Sequence, residues 1–123
     1  MAATILLVDD DWFLADVLAE SLRRQGWLVR VASTAADAVI VARAEPPDLV
    51  VLDPRLPDCD GWQVLGELRR ARGEQPVPVV LVSSGPITRQ ELRRYQVTVF
   101  LPKPFRTPDL LASISSLLAA ATA

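Results

Sequence analysis

The sequence predicts an α/β fold, a doubly wound parallel sheet of five strands carrying five helices, and three observations predict it. Thr4–Val8 (TILLV), Leu49–Leu52 (LVVL) and Val79–Val82 (VVLV) are short runs that, after Thr4, are apolar at every position. Such runs mark strands buried on both faces, as in a parallel sheet covered by helices. Trp27–Ala32 (WLVRVA), with Arg30 in its middle, and Val97–Leu101 (VTVFL), with Pro102 just beyond, are mixed and suit edges. Stretches of helical spacing separate the five runs, and strict alternation of strand and helix predicts parallel pairing.

The elements follow in order. After Thr4–Val8 comes Asp9-Asp10-Asp11, then Leu14, Val17, Leu18, Ser21, Leu22 and Gln25 at helical spacing, with Gly26 as the stop. Thr34-Ala-Ala-Asp37 resembles a capping box that opens a helix to about Ala44, closed by Pro46-Pro47. Leu49–Leu52 ends in Asp53 and a loop with Pro54, Pro57, two further Asp and Gly61. Val64, Leu65, Leu68 and Ala71 then mark a third helix ending near Gly73. Val79–Val82 ends in Ser83-Ser84-Gly85-Pro86, and a short polar helix over about Thr88–Gln96 follows. Thr107-Pro108 opens the last helix, with Leu110, Leu111, Ile114, Leu117 and Leu118 toward the core.

With the three apolar strands central and the two mixed ones outside, the order is 2-1-3-4-5, the flavodoxin-like arrangement. Residues 1–123 read as a single domain, with a core of about 4–118 and a fraying tail over 119–123. Neither a signal peptide nor a membrane span is expected, because no basic region precedes the first apolar run and no apolar run nears ~20 residues. The one cysteine, Cys59, excludes an internal disulfide and fits a reducing cytoplasm. The absence of histidine removes His-based catalysis and His metal ligands. A net charge of −2 without a basic block offers no nucleic-acid surface.

In a parallel sheet the carboxyl ends of all strands share one edge, where open α/β sheets bind ligands. That edge collects Asp9, Asp10 and Asp11, then Asp53, Ser83 and Lys103. One Asp suffices to cap a helix, so three exceed that need. Converging carboxylates persist when a hard cation neutralises them, and oxygen donors at this density suit Mg²⁺. Lys103 is the single lysine beside 12 arginines, which points to a place for one compact ammonium. A carboxylate can attack phosphorus to form an acyl phosphate, so Asp53 reads as the nucleophile. Lys103 would then neutralise the transferring oxygens and Ser83 donate to one of them.

With these residues in place, the chain from about Ile5 to Leu118 resembles the receiver domains of two-component response regulators. The acidic pair matches Asp9 and Asp10; the acceptor and its following pattern match Asp53, Pro57 and Gly61; the switch positions match Ser83 and Phe100; the Lys-Pro pair matches Lys103-Pro104. The 2-1-3-4-5 order rests in part on this resemblance. The resemblance implies that a sensor histidine kinase or phosphotransfer protein donates phosphate to Asp53. It also implies Mg²⁺ held by Asp10, Asp53 and the backbone carbonyl of Arg55, with Asp9 acting through water. Ser83 would move toward the phosphoryl group and Phe100 rotate inward, altering the face built from the fourth helix, fifth strand and fifth helix. A cis peptide at Lys103–Pro104 is implied as well. On this reading the chain is a switch, not an enzyme, and lies in the cytoplasm. Its partners are the phosphodonor and a downstream effector protein or an output domain outside these residues.

Departures from the family pattern are visible. Pro54 follows the acceptor directly, Phe100 lacks a tyrosine hydroxyl, and only 16 residues separate Ser83 from Phe100. The fourth helix is therefore expected to be short or displaced. The last helix lacks the charges that stitch some regulators into dimers, so a monomer or weak dimer is expected. Arg55 would lean over the phosphoryl group and alter the approach of water. Trp12 and Phe13 would either contact a partner or place at least one ring in the core. Two rivals fail: a flavin-phosphate site is opposed by Asp9–Asp11, and an aspartyl phosphatase leaves Asp53 unexplained. A phosphorylation-independent receiver scaffold stands as the alternative.

Overall fold

The computed structural model describes residues 2–58, 60–72 and 76–122. Five strands, β1 (Thr4–Val8), β2 (Leu28–Ala32), β3 (Leu49–Leu52), β4 (Val79–Ser83) and β5 (Val99–Pro102), alternate with five helices. These are α1 (Trp12–Arg24), α2 (Ala35–Ala44), α3 (Trp62–Arg72), α4 (Arg89–Arg94) and α5 (Thr107–Thr122). All pairings are parallel, in the order β2-β1-β3-β4-β5. The expected fold and strand order are both present.

Alternation along each strand explains why the central runs are apolar throughout. Leu6, Val8, Val50, Leu52, Val79 and Leu81 face α2 and α3, where they meet Ala35, Ala38, Ala42, Val64, Leu65 and Leu68. Ile5, Leu7, Leu49, Val51, Val80 and Val82 face α1 and α5, against Ala15, Leu18, Leu22, Leu110 and Ile114. Successive side chains point to opposite faces, so a strand covered on both faces has no position left for a polar residue. Each such Leu, Ile or Val contributes about 1.5–3 kcal/mol. The edge strand β2 reads out the same rule in reverse, with Leu28 and Arg30 exposed and Val29 and Ala32 buried.

Boundaries differ from the sequence expectation where helix ends claim residues. Strand β5 begins at Val99 rather than Val97, because Val97 closes α4. Its N–H donates to the Leu92 carbonyl (2.9 Å) and that of Gln96 to the Arg93 carbonyl (3.2 Å). This pair of bonds is a Schellman closure, with Gln96 at φ 54° in the left-handed position usually held by glycine. Helix α4 is short, as expected, and opens with a full capping box between Thr88 and Glu91. Thr34 caps α2 by accepting from the Asp37 N–H at 3.1 Å. Helix α5 continues through the stretch expected to fray, to Thr122. Gly73 and Cys59 lie outside the described residues.

Candidate functional site

Backbone bonds that continue the sheet's ladder fix the residues at its carboxyl edge. The Asp9 N–H donates to the Ala32 carbonyl (3.1 Å), that of Asp53 to Val8 (2.9 Å), and that of Lys103 to Ser83 (2.9 Å). Each site residue is therefore anchored to the neighbouring strand and is not left on a mobile loop. Asp9, Asp53 and Ser83 are buried.

Lys103 is the centre of the cluster. Its ammonium donates to Asp53 Oδ2 at 2.7 Å and to Asp9 Oδ2 at 2.8 Å. The second oxygens of both carboxylates are also engaged: Asp9 Oδ1 accepts from the Asp11 N–H and Asp53 Oδ1 from the Arg55 N–H, both at 2.9 Å. Burial pushes the Asp9 carboxyl above the usual carboxylate value, and the bonds from Lys103 and Asp11 only partly reverse this. Burial also pulls the Lys103 ammonium down, but its bonds to Asp53 and Asp9 outweigh that and hold it above its ordinary value. A shared bond alone should lower the acid as it raises the base. Here the desolvation of Asp9 exceeds what one ammonium shared between two carboxylates returns.

Asp10, exposed at the rim, completes a triad with Asp9 and Asp53 in which one carboxylate oxygen from each lies within 4.8 Å of the others. Three oxygen donors facing one another fit a hard divalent cation such as Mg²⁺. Ser83 lies at the end of β4, and its hydroxyl accepts from the Gly85 N–H at 3.1 Å. The cis peptide at Lys103–Pro104 is present. Phe100 stands apart from the cluster: it lies on β5 opposite Leu81 and packs, half-buried, on the α2–α3 side of the sheet.

Trp12 and Phe13 correct the expectation that at least one of them enters the core. Both are exposed, at 69% and 67%, and pack edge to face on each other. Helix α1 turns Ala15, Leu18, Ala19 and Leu22 inward, and that stripe leaves the first two helical positions outside. Asp11, the third of the acidic run, is the α1 cap and accepts from the Leu14 N–H at 3.1 Å. Two roles escaped the sequence reading. Asp58, in the loop after Asp53, accepts from the N–H groups of Ala35 and Ala36 and ties that loop to α2. Gly85 gives its open Cα face to the Arg55 guanidinium, which lies in the space a Cβ would take. Only the SSGP turn pattern hinted at the second.

The comparisons agree with this geometry. The response regulator receiver domain family matches residues 5–115. TcrX, a transcriptional regulatory protein of Mycobacterium tuberculosis, is 33% identical over 118 residues, which is 94% of this chain and 49% of TcrX. The chain thus spans about half the length of that relative. A CheY-like receiver domain from Methanospirillum hungatei superposes with a TM-score of 0.90 at 24% identity, covering 99% of this chain and 98% of the other. The receiver domain of a Pseudomonas aeruginosa sensor histidine kinase, solved with a magnesium ion coordinated in its active site cleft, gives 0.81 at 25%, covering 97% and 99%. The chain belongs to the response regulator receiver domain family.

Proposed function

We propose that this domain accepts a phosphoryl group on Asp53 from a sensor histidine kinase or phosphotransfer protein, and that the acyl phosphate switches its output surface. The observation that carries the reading is the Lys103 ammonium shared between two buried carboxylates, 2.7 Å from Asp53 and 2.8 Å from Asp9, beside the exposed Asp10. An Asp53 carboxylate oxygen attacks phosphorus. The phosphorus–nitrogen bond of the donor phosphohistidine breaks, and its electron pair returns to the imidazole. Lys103 keeps its proton and follows the transferred oxygens as a fixed positive charge.

Asp10, Asp53 and the Arg55 carbonyl would hold Mg²⁺, with Asp9 acting through water. When bound, the ion neutralises the carboxylates and the transferring oxygens. Ser83 turns its hydroxyl to a phosphoryl oxygen, and Phe100, which has no hydroxyl, moves by packing alone. The surface affected is that of α4, β5 and α5, read by an effector protein or an output domain. Hydrolysis restores Asp53, so the domain is a switch and not a turnover enzyme. The reading places it in the cytoplasm as a monomer or weak dimer. Among the described residues no helix is long and apolar enough to cross a membrane.

The test is intact mass and tryptophan fluorescence with acetyl phosphate, with and without Mg²⁺. A Mg²⁺-dependent gain of one phosphoryl group, lost in Asp53→Asn, is expected. No gain at any Mg²⁺ concentration overturns the reading in favour of a phosphorylation-independent scaffold.

A further inference from the structure

Asp58 stands at the outer turn of the loop from Asp53 to Gly61, and this loop is fastened both at its neck and at its turn. At the neck, the Gly61 N–H donates to the Pro54 carbonyl at 2.9 Å, and Arg55 pairs with Asp60 in an isolated antiparallel bridge. The Arg55 N–H also donates to Asp53 Oδ1 at 2.9 Å. At the turn, the two Asp58 carboxylate oxygens accept from the Ala35 N–H at 2.9 Å and the Ala36 N–H at 3.0 Å, the first amides of α2. Leu56 and Pro57 alone separate Arg55 from Asp58. Proline fixes its own φ, and Leu56 packs half-buried against the core on the α2–α3 side. The link between the two fastenings is therefore short and stiff, and a displacement at the α2 end reaches Arg55 with little slack.

We propose that Asp58 is a positioning residue for the cation site: its hold on α2 keeps the Arg55 carbonyl in place for Mg²⁺, so that cation binding and the start of α2 are coupled. The inference deepens the proposed function and rests on its assignment of the Arg55 carbonyl as a ligand. Asp53 directly follows β3 and its N–H is bonded to Val8 of β1, so the sheet itself sets its position. Arg55 lies two residues further on, and its carbonyl depends on how the loop is held. A tethered loop has little freedom left to lose when the cation binds, whereas a loop cut from α2 must be ordered at that moment. Coupling between two sites is reciprocal. A cation that fixes the loop also fixes Asp58 on α2, and the Ala35 and Ala36 amides then open to solvent less often. A carboxylate that served only as a helix cap would give neither effect.

The test follows the backbone amide resonances of Asp10 and Asp53 through a Mg²⁺ titration of the parent, Asp58→Ala, Asp58→Asn and Thr34→Ala. Asp58→Ala is expected to bind Mg²⁺ roughly threefold to tenfold more weakly, less than the loss of about 10- to 100-fold when a group bonded directly to a metal ligand is removed. Asp58→Asn, which drops the charge but keeps one acceptor oxygen, should fall between Asp58→Ala and the parent. Thr34→Ala removes the other side-chain cap of α2, the bond from the Asp37 N–H, and should leave the affinity unchanged. A loss in Asp58→Asn as large as in Asp58→Ala assigns the effect to charge and overturns the tether. An equal loss in Thr34→Ala assigns it to fraying of α2 and overturns the tether as well. Hydrogen exchange reads the reverse direction: Mg²⁺ should slow exchange at Ala35 and Ala36 in the parent and not in Asp58→Ala, and equal slowing in both overturns the coupling. A parent that binds Mg²⁺ with an affinity that Asp58→Ala shares overturns this inference and leaves the phospho-acceptor reading standing. A parent without any Mg²⁺ response overturns both.

Discussion

Asp58 closes the N-terminal end of a helix it does not belong to: its carboxylate accepts from Ala35 N–H at 2.9 Å and from Ala36 N–H at 3.0 Å. Thr34 serves the next amide, that of Asp37, so α2 begins with three of its first donors satisfied by side chains from two loops. Negative charge at this end also complements the helix dipole. Asp58→Ala should lower stability by about 1–2 kcal/mol, in line with other lost N-caps. Asp58→Asn, which keeps one acceptor oxygen, should recover about half of that. Urea unfolding of the three proteins checks both.

Two glycines give opposite outcomes for one substitution. A Cβ on Gly61 would meet the Pro54 backbone, its Cα at 2.6 Å and its carbonyl oxygen at 2.7 Å. The Gly61 N–H also donates to that carbonyl at 2.9 Å, so neither backbone can retreat. Gly61→Ala is expected to cost about 1–3 kcal/mol, the range of forced overpacking. Gly66, inside α3, has open space where its Cβ would be, and Gly66→Ala should stabilise by about 0.5–1 kcal/mol through helix propensity. Thermal melts of the pair should move in opposite directions.

Gln96 occupies the left-handed position that ends α4, at φ 54°, whereas the equivalent place after α1 is held by Gly26 at φ 92°. A side chain in this conformation costs about 1–2 kcal/mol, and glycine removes that cost while adding some unfolded-state entropy. Gln96→Gly should therefore gain about 0.5–1 kcal/mol, measured as a rise in the urea midpoint at constant slope. Loss of stability would show that the Gln96 side chain holds a contact worth more than the strain.

The Thr88–Glu91 capping box should be visible in a pH titration. The Glu91 carboxyl lies below its ordinary 4.5 because the Thr88 N–H, and then its hydroxyl, donate to it. A depressed acid stabilises the folded form fully above 4.5, and that contribution disappears as pH falls through the lower folded value. The Thr88 amide resonance, whose proton points at Glu91 Oε1 over 2.9 Å, should titrate with a midpoint below 4.5. Glu91→Gln should abolish the transition.

Much of this was legible in the chain because the central strands are covered twice. Four consecutive apolar residues from Leu49 to Leu52 point to double burial, and the strand order followed in part from which runs are mixed and in part from the resemblance to receiver domains. The site was legible because a polar residue stands at or just past the end of four strands, Asp9 after β1, Asp53 after β3, Ser83 ending β4 and Lys103 after β5, and a parallel sheet brings those ends together. What escaped depended on contacts between loops. Nothing near Asp58 signals that it caps a helix more than 20 residues earlier, and nothing near Gly85 names Arg55. Trp12 and Phe13 misled because their size argues for burial, whereas the phase of the helix sets their direction. Val97 looked like strand, and a helix-closing bond claimed it.

Helix α4 buries none of its six residues. It is held by its capping box, by the bond from Val97, and by Arg69 of α3, whose guanidinium donates to the carbonyls of Tyr95 and Gln96. Trp62 adds a stacked ring, 4.4 Å from Tyr95 and tilted by 13°. Leu92, Tyr95 and Val97 also pack, half-buried, against the core on the α2–α3 side, so the segment gives up less apolar contact on opening than a fully buried element does, and its local opening can cost less than global unfolding. The sheet, with its central strands fully buried, is thus the stiff part of the domain, and α4, with none of its six residues buried, is the soft one.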